Sequence, residues 1–107
     1  MLAILIVALA SPALAGEADR TASAWKALRE HELLSMKQLG CAYLMERDDS
    51  TARRVKVGVY ETHDARCGGD PDVTHRLFDL ELDRRKGRVL WDNNPDQEMR
   101  PVPPRRR

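Results

Sequence analysis

The chain has 107 residues, the size of one small domain, with 18 Lys and Arg against 17 Asp and Glu and a formal net charge of +1. Three of the positive charges are the terminal Arg105, Arg106 and Arg107, so the rest carries 15 basic against 17 acidic side chains and is slightly acidic. That balance excludes the basic footprint of a nucleic-acid binder. Five aromatic residues, Trp25, Tyr43, Tyr60, Phe78 and Trp91, leave only a small core.

The chain opens on an unbroken apolar run, Met1 to Ala10, followed by the break Ser11-Pro12 and then Ala13-Leu14-Ala15. An apolar segment that ends in an A-x-A site predicts a secretory signal peptide over residues 1–15, cleaved after Ala15. The run departs from the usual pattern in having no Lys or Arg before it. It falls short of the about 20 apolar residues that span a bilayer, and no cysteine follows it closely enough to take a lipid. The expectation is a periplasmic or secreted protein with no stable membrane anchor after cleavage.

A single α+β domain is expected over 16–98. Residues 17–39 read as one helix, with Trp25, Leu28, Leu33, Met36 and Leu39 on one broad face and Lys26, Glu30 and Lys37 toward water. Glu32 interrupts that stripe. Asp19 or Thr21 suits its N-cap, and Gly40 suits a C-cap at positive φ. His31 reads as a surface or boundary residue.

After Gly40 the period changes. Cys41 to Glu46 reads as a short strand, and Asp48 to Thr51 as a polar turn. Val55, Val57 and Val59 alternate with Lys56, Gly58 and Tyr60, the pattern of a half-buried strand. Phe78, Leu80 and Leu82 alternate with Leu77, Asp79, Glu81 and Asp83 as a third strand. Lys86-Gly87 makes a hairpin turn into a fourth strand, Arg88 to Asp92. Either Leu90 or the pair Val89 and Trp91 faces the core. Asn93 to Asp96 closes the domain, and residues 99–107, rich in Pro and Arg, are expected to be a disordered tail. Consecutive strands with short connections pair antiparallel. The architecture that follows is a two-layer α+β fold, one N-terminal helix on a four-stranded antiparallel sheet, with Lys56, Tyr60, Asp79 and Glu81 on the uncovered face.

Glu61-Thr62-His63-Asp64-Ala65-Arg66-Cys67-Gly68-Gly69-Asp70-Pro71 is the segment richest in chemistry. His63, Cys67 and His75 are residue types that bind zinc, and a cysteine beside a histidine is the pairing of a thiol nucleophile. Both uses need a thiolate. In an exported chain, Cys41 and Cys67, the only cysteines, are expected to form a disulfide. Closing that loop adds about 3 kcal/mol in the chain-entropy model. The carboxylate pairs Asp70 with Asp72 and Glu61 with Asp64 do acid–base work only in a cleft, which a small two-layer domain does not offer. The glycines and Asp70-Pro71 then read as the geometry of a stapled connection, with Arg76 placed to pair with Asp70 or Glu61.

No catalytic residue, metal site or cofactor is assigned from these letters. The candidate binding surface is His63, Asp64, Asp70, His75 and Arg76, beside the Cys41–Cys67 bridge. The expected function is an exported, non-enzymatic binding module that meets a protein partner in the cell envelope through the sheet face or the stapled loop. The alternative is a small metal-binding protein or enzyme centred on His63, Cys67 and His75.

Several of these motifs together carry a resemblance. Val57, Val59, Glu61 and His63 form V-x-V-x-E-x-H; Cys67 to Pro71 form C-G-G-D-P; Arg76-Leu77-Phe78, Asp83 with Gly87, and Trp91-Asp92 follow. Over roughly residues 41–96 this set resembles a family of small exported proteobacterial proteins of uncharacterised function. The resemblance implies an exported location and no activity. Asp72-Val73-Thr74-His75 departs from the threonine and proline expected there, and no catalytic residue carries over.

Overall fold

The computed structural model describes residues 12–104, so most of the expected signal peptide and the terminal arginines lie outside the described residues. Helix α1 spans Pro12–Glu30. It starts upstream of Asp19 and Thr21, so neither is its cap. Pro12 occupies the first turn, where its missing N–H costs nothing. Ala24, Ala27 and Leu28 form the buried stripe at helical spacing, with Trp25 packed partly against the same core.

The expected single helix over 17–39 is two. The N–H of Leu33 donates to the Leu28 carbonyl at 3.0 Å and that of Glu32 to the Arg29 carbonyl at 3.2 Å. Glu32 sits at φ 53°. Those two bonds around a left-handed residue are a Schellman ending, with glutamate where glycine is usual. The bend brings Leu34 into the core and Leu33 against it, while Met36, expected on the buried stripe, is 85% exposed. Helix α2, Met36–Gly40, restarts at once. Ser35 Oγ accepts from the Gln38 N–H at 3.1 Å, and Gln38 Oε1 accepts from the Ser35 N–H at 2.8 Å, a reciprocal capping box. Gly40 is the last helical residue, and the C-cap is Cys41 at φ −132°.

The strands are β1 Ala42–Glu46, β2 Arg54–Glu61, β3 His75–Asp83, β4 Arg88–Trp91 and β5 Arg100–Pro101. They form one antiparallel sheet in the order β1-β2-β3-β4-β5. The architecture is the expected α+β one, with a fifth strand in place of four. β5 lies in the segment expected to be disordered. Asn94 explains its capture: its side chain donates to the Glu98 carbonyl at 2.8 Å and accepts from the Glu98 N–H at 3.1 Å, closing the connection. Val102 then donates to the Val89 carbonyl at 3.0 Å. Pro101 is tolerated because β5 is an edge.

Val55, Val57 and Val59 of β2 and Phe78, Leu80 and Leu82 of β3 are buried against α1 with Leu28 and Leu34. Fully burying each such side chain stabilises the fold by about 1.5–3 kcal/mol. Val89 and Trp91 join this face, which fixes the register of β4 and leaves Leu90 on the other side. Trp91 meets Phe78 edge-on, ring centroids 5.1 Å apart. Gly87 adopts φ 64°, the left-handed turn position expected of it. Polar ties join the layers. Arg20 grips both carboxylate oxygens of Glu46 at 2.7 and 2.9 Å, and Arg84 reaches Asp19 at 2.6 Å.

One irregularity positions the candidate site. Val59 pairs with Phe78, but the next β2 residue, Tyr60, pairs with Arg76, so Leu77 is the extra residue of a bulge. The slip brings His75 opposite Glu61.

Candidate functional site

The connection between β2 and β3 folds on its own polar groups. Asp64 Oδ1 accepts from the N–H groups of Arg66 at 2.9 Å and Cys67 at 2.7 Å, and the Asp64 carbonyl accepts from Gly68 at 2.8 Å. A second turn follows, in which Asp70 Oδ1 accepts from the Asp72 N–H at 2.9 Å and the Asp70 carbonyl from Val73 at 3.0 Å. Asp64 and Asp70, two members of the expected binding surface, are exposed and serve as turn formers. Two ties fix the connection to the chain before β1. Cys41 and Cys67 form the expected disulfide, and the Arg66 guanidinium donates to the Gly40 carbonyl at 2.7 Å. Cys67 is therefore spent as a ligand or nucleophile as long as the bridge is oxidised.

His63 is the hub of this segment. Its Nδ1 lies 2.9 Å from the Asp70 carbonyl. A carbonyl only accepts, so Nδ1 carries the proton. The ring lies flat against Gly69, where an added Cβ would sit 2.6 Å from His63 Cδ2 and 2.8 Å from Cγ. Gly69 also adopts φ 81°, so glycine is required there twice over. The neighbouring Gly68 adopts φ 82° but faces open space.

The other ring nitrogen, His63 Nε2, points at Glu61 Oε1, 3.0 Å away. The second oxygen of Glu61 lies 3.3 Å from His75 Nδ1. One carboxylate thus bridges two imidazoles, whose ring centroids are 6.4 Å apart. The Asp70 carbonyl, foremost, and the Glu61 carboxylate raise the His63 pKa above the ordinary imidazole value, against the opposing effect of burial. His63 is largely buried, with 10% of its side chain exposed, whereas His75 has 57% exposed.

Arg76 takes neither of its expected partners. Its guanidinium lies 3.1 Å from Asp92 Oδ2 and 3.4 Å from Asp79 Oδ1, on the sheet face away from α1. The five residues of the expected surface therefore separate into a histidine pair on Glu61, two turn-forming aspartates, and an arginine in a different network. Glu61 as the link between the histidines escaped the sequence reading because it depends on the Leu77 bulge.

The uncovered sheet face is the second candidate. Tyr43 and Tyr60 are cross-strand partners, stacked at 5.3 Å and 14°. Gly58 makes room for them, since a Cβ there would sit 2.7 Å from Tyr60 Cε2. Met45 beside them is 54% exposed. Around this apolar spot the charges pair off: Lys56 with Asp49 at 2.7 Å, Arg54 with Glu81 at 3.2 Å and Asp83 at 3.5 Å, and Arg47 with Asp79 at 3.4 Å. Lys56 and Asp79 also line a depression of about 170 Å³ with Arg47, Asp49, Glu81 and Met99. A wider hollow of about 400 Å³ lies beside it, lined by Met45, Glu46, Arg47, Asp48, Asp49 and Tyr60, and both are open to solvent. Lys56, Tyr60, Asp79 and Glu81 all lie on this face, as the alternation predicted. The tyrosine stack needed the register of β1, although both rings fall at outward positions of their strands.

No helix among the described residues is long and apolar enough to cross a membrane. No known family model, curated protein or solved structure matches the chain.

Proposed function

We propose that the protein is an exported, non-enzymatic binding module that docks a protein of the cell envelope on its uncovered sheet face. The observation that carries this reading is the stacked Tyr43–Tyr60 pair with Met45 beside it, an apolar island held on a rigid sheet and ringed by ion pairs. Preformed aromatic groups with a polar surround are the composition of an interface centre, because they bury much area and lose little side-chain entropy. The Cys41–Cys67 bond and the apolar start with its A-x-A site support export. The hollows on this face are open rather than enclosed, which favours a macromolecular partner over a sequestered small molecule.

The test is capture from a native envelope extract with three immobilised proteins: wild type, Tyr43→Ala and Met45→Lys. Both substitutions fall on exposed side chains. The expected result is a protein retained by the wild type and lost with both variants, at unchanged melting temperature. Retention by all three alike, or by none, overturns the reading.

A further inference from the structure

We infer that Glu61, His63 and His75 form a binding site for one divalent transition-metal cation, with Zn²⁺ the best match to its donors. Their ligand atoms all lie within 4.8 Å of one another. Glu61 already touches both imidazoles, His63 Nε2 to Oε1 at 3.0 Å and His75 Nδ1 to Oε2 at 3.3 Å, and one of these oxygens would serve the ion. In a tetrahedral site with bonds of about 2.0–2.1 Å, neighbouring donors stand roughly 3.3 Å apart. The wider separations, within 4.8 Å, would have to close on binding, and the exposed His75 side chain is the one with room to move.

The hydrogen-bond geometry suits a positive occupant. His63 Nδ1–H is committed to the Asp70 carbonyl, so in the neutral ring Nε2 bears a lone pair. That lone pair faces a carboxylate oxygen, also an acceptor, at 3.0 Å. Two acceptors at this distance repel unless a proton or a cation lies between them. A metal ion placed there serves both partners and draws in His75 as well.

The surroundings are those of a metal ligand. A ligating histidine ordinarily gives its second N–H to a carbonyl or carboxylate, which fixes the tautomer and ring orientation. The Asp70 carbonyl does this for His63, Gly69 seats the ring, and the disulfide two residues earlier anchors the turn. The Leu77 bulge brings in His75. Two imidazoles and one carboxylate suit zinc better than calcium or magnesium, which prefer oxygen. They leave a fourth position for water or for a side chain of a bound partner. The site does not depend on the docking face: strand alternation points Glu61 to the side opposite Tyr60.

The experiment is calorimetric titration of the oxidised protein with Zn²⁺ at pH 7.5 without thiol reductant, for wild type, His75→Ala and Glu61→Gln. His75 is exposed, so its removal leaves the fold intact. The expected result is saturation at one equivalent for the wild type, with affinity at least about tenfold weaker in each variant, the loss that even an outer partner of a ligand causes. The imidazole proton resonances of His63 and His75, and not of His31, should shift on saturation. No saturable uptake by the wild type, or uptake that both variants leave unchanged, overturns the assignment.

Discussion

The uncovered sheet face and the β2–β3 connection are both crowded with charged and polar groups, yet they resolve that crowding differently. On the sheet face, acids meet permanent cations. Arg54 serves Glu81 and Asp83, Lys56 serves Asp49, and Arg76 serves Asp92 and Asp79. In the connection, the ion-pair partners of Glu61 among the described residues are two histidines, which are cationic only when protonated. The first arrangement is complete in itself and serves the fold. The second draws its countercharge from groups whose charge depends on protonation. Charge density alone does not distinguish a structural network from a chemical one; the identity of the countercharge does.

The largest expected effect tests whether the connection is truly pre-built. Reducing the Cys41–Cys67 bond, or replacing both cysteines by serine, should cost about 3 kcal/mol of stability. Chemical denaturation with and without reductant measures it. The oxidised protein should show no alkylatable thiol by mass, and two free thiols would remove the staple from the comparison.

Gly69→Ala comes next. It meets both the left-handed backbone and the His63 ring, and should cost about 2 kcal/mol. Gly68→Ala meets only the backbone term and should cost about 1 kcal/mol. Equal melting temperatures for the two variants would show that His63 does not rest on Gly69.

Arg20 and Glu46 supply a third, pH-dependent test between the helix and β1. The hydrogen bonds from Arg20, the largest cause, hold the Glu46 carboxyl below the usual carboxylate range. A depressed folded-state pKa contributes stability that is fully present above the unfolded value, about 4.3, and is lost as pH falls through the folded value. For this partly buried pair the contribution is about 1 kcal/mol. Glu46→Gln should therefore lower the melting temperature at pH 7 and have little effect near pH 2. A deficit that persists undiminished at pH 2 would assign the loss to packing instead.

The smallest effect belongs to the sheet face. Arg54→Ala removes two partly exposed pairs and should change stability by about 0.5 kcal/mol, less in high salt. A loss comparable to that of Gly69→Ala would mean the charge network is far more than a solvated lattice.

These two regions also differ in how far the sequence discloses them. The valines of β2 and the Phe78, Leu80, Leu82 series of β3 alternate cleanly, because a half-buried sheet imposes a period of two that any register preserves. The disulfide was legible because a chain with two cysteines has one intramolecular pairing to make. The turn at Gly87 was legible from glycine itself. What was hidden rests on single backbone choices. Glu32 accepts a left-handed conformation usually left to glycine, so a continuous helical pattern concealed a break. Ser35 and Gln38 did spell a capping box, a signal the sequence offered. Leu77 gives no sign of its bulge, and without it Glu61 would face Arg76 instead of His75. β5 forms because the Asn94 side chain closes a loop on Glu98, a contact with no periodicity to announce it.

Each strand of the sheet pairs with its neighbour in sequence, so every ladder is local in the chain, the β2–β3 connection being the longest, and the topology places little demand on chain search. The thiols depend on this order. Thr62 donates to the Cys41 carbonyl at 2.7 Å, and Cys67 follows five residues later, so pairing β1 with β2 already delivers the two sulfurs to one end of the sheet. A slip of one residue would turn Tyr43 toward the helix and Leu44 toward water, and would also displace Cys41 from its partner. Oxidation thus acts as a proofreader of register, sealing the arrangement whose faces are already correct.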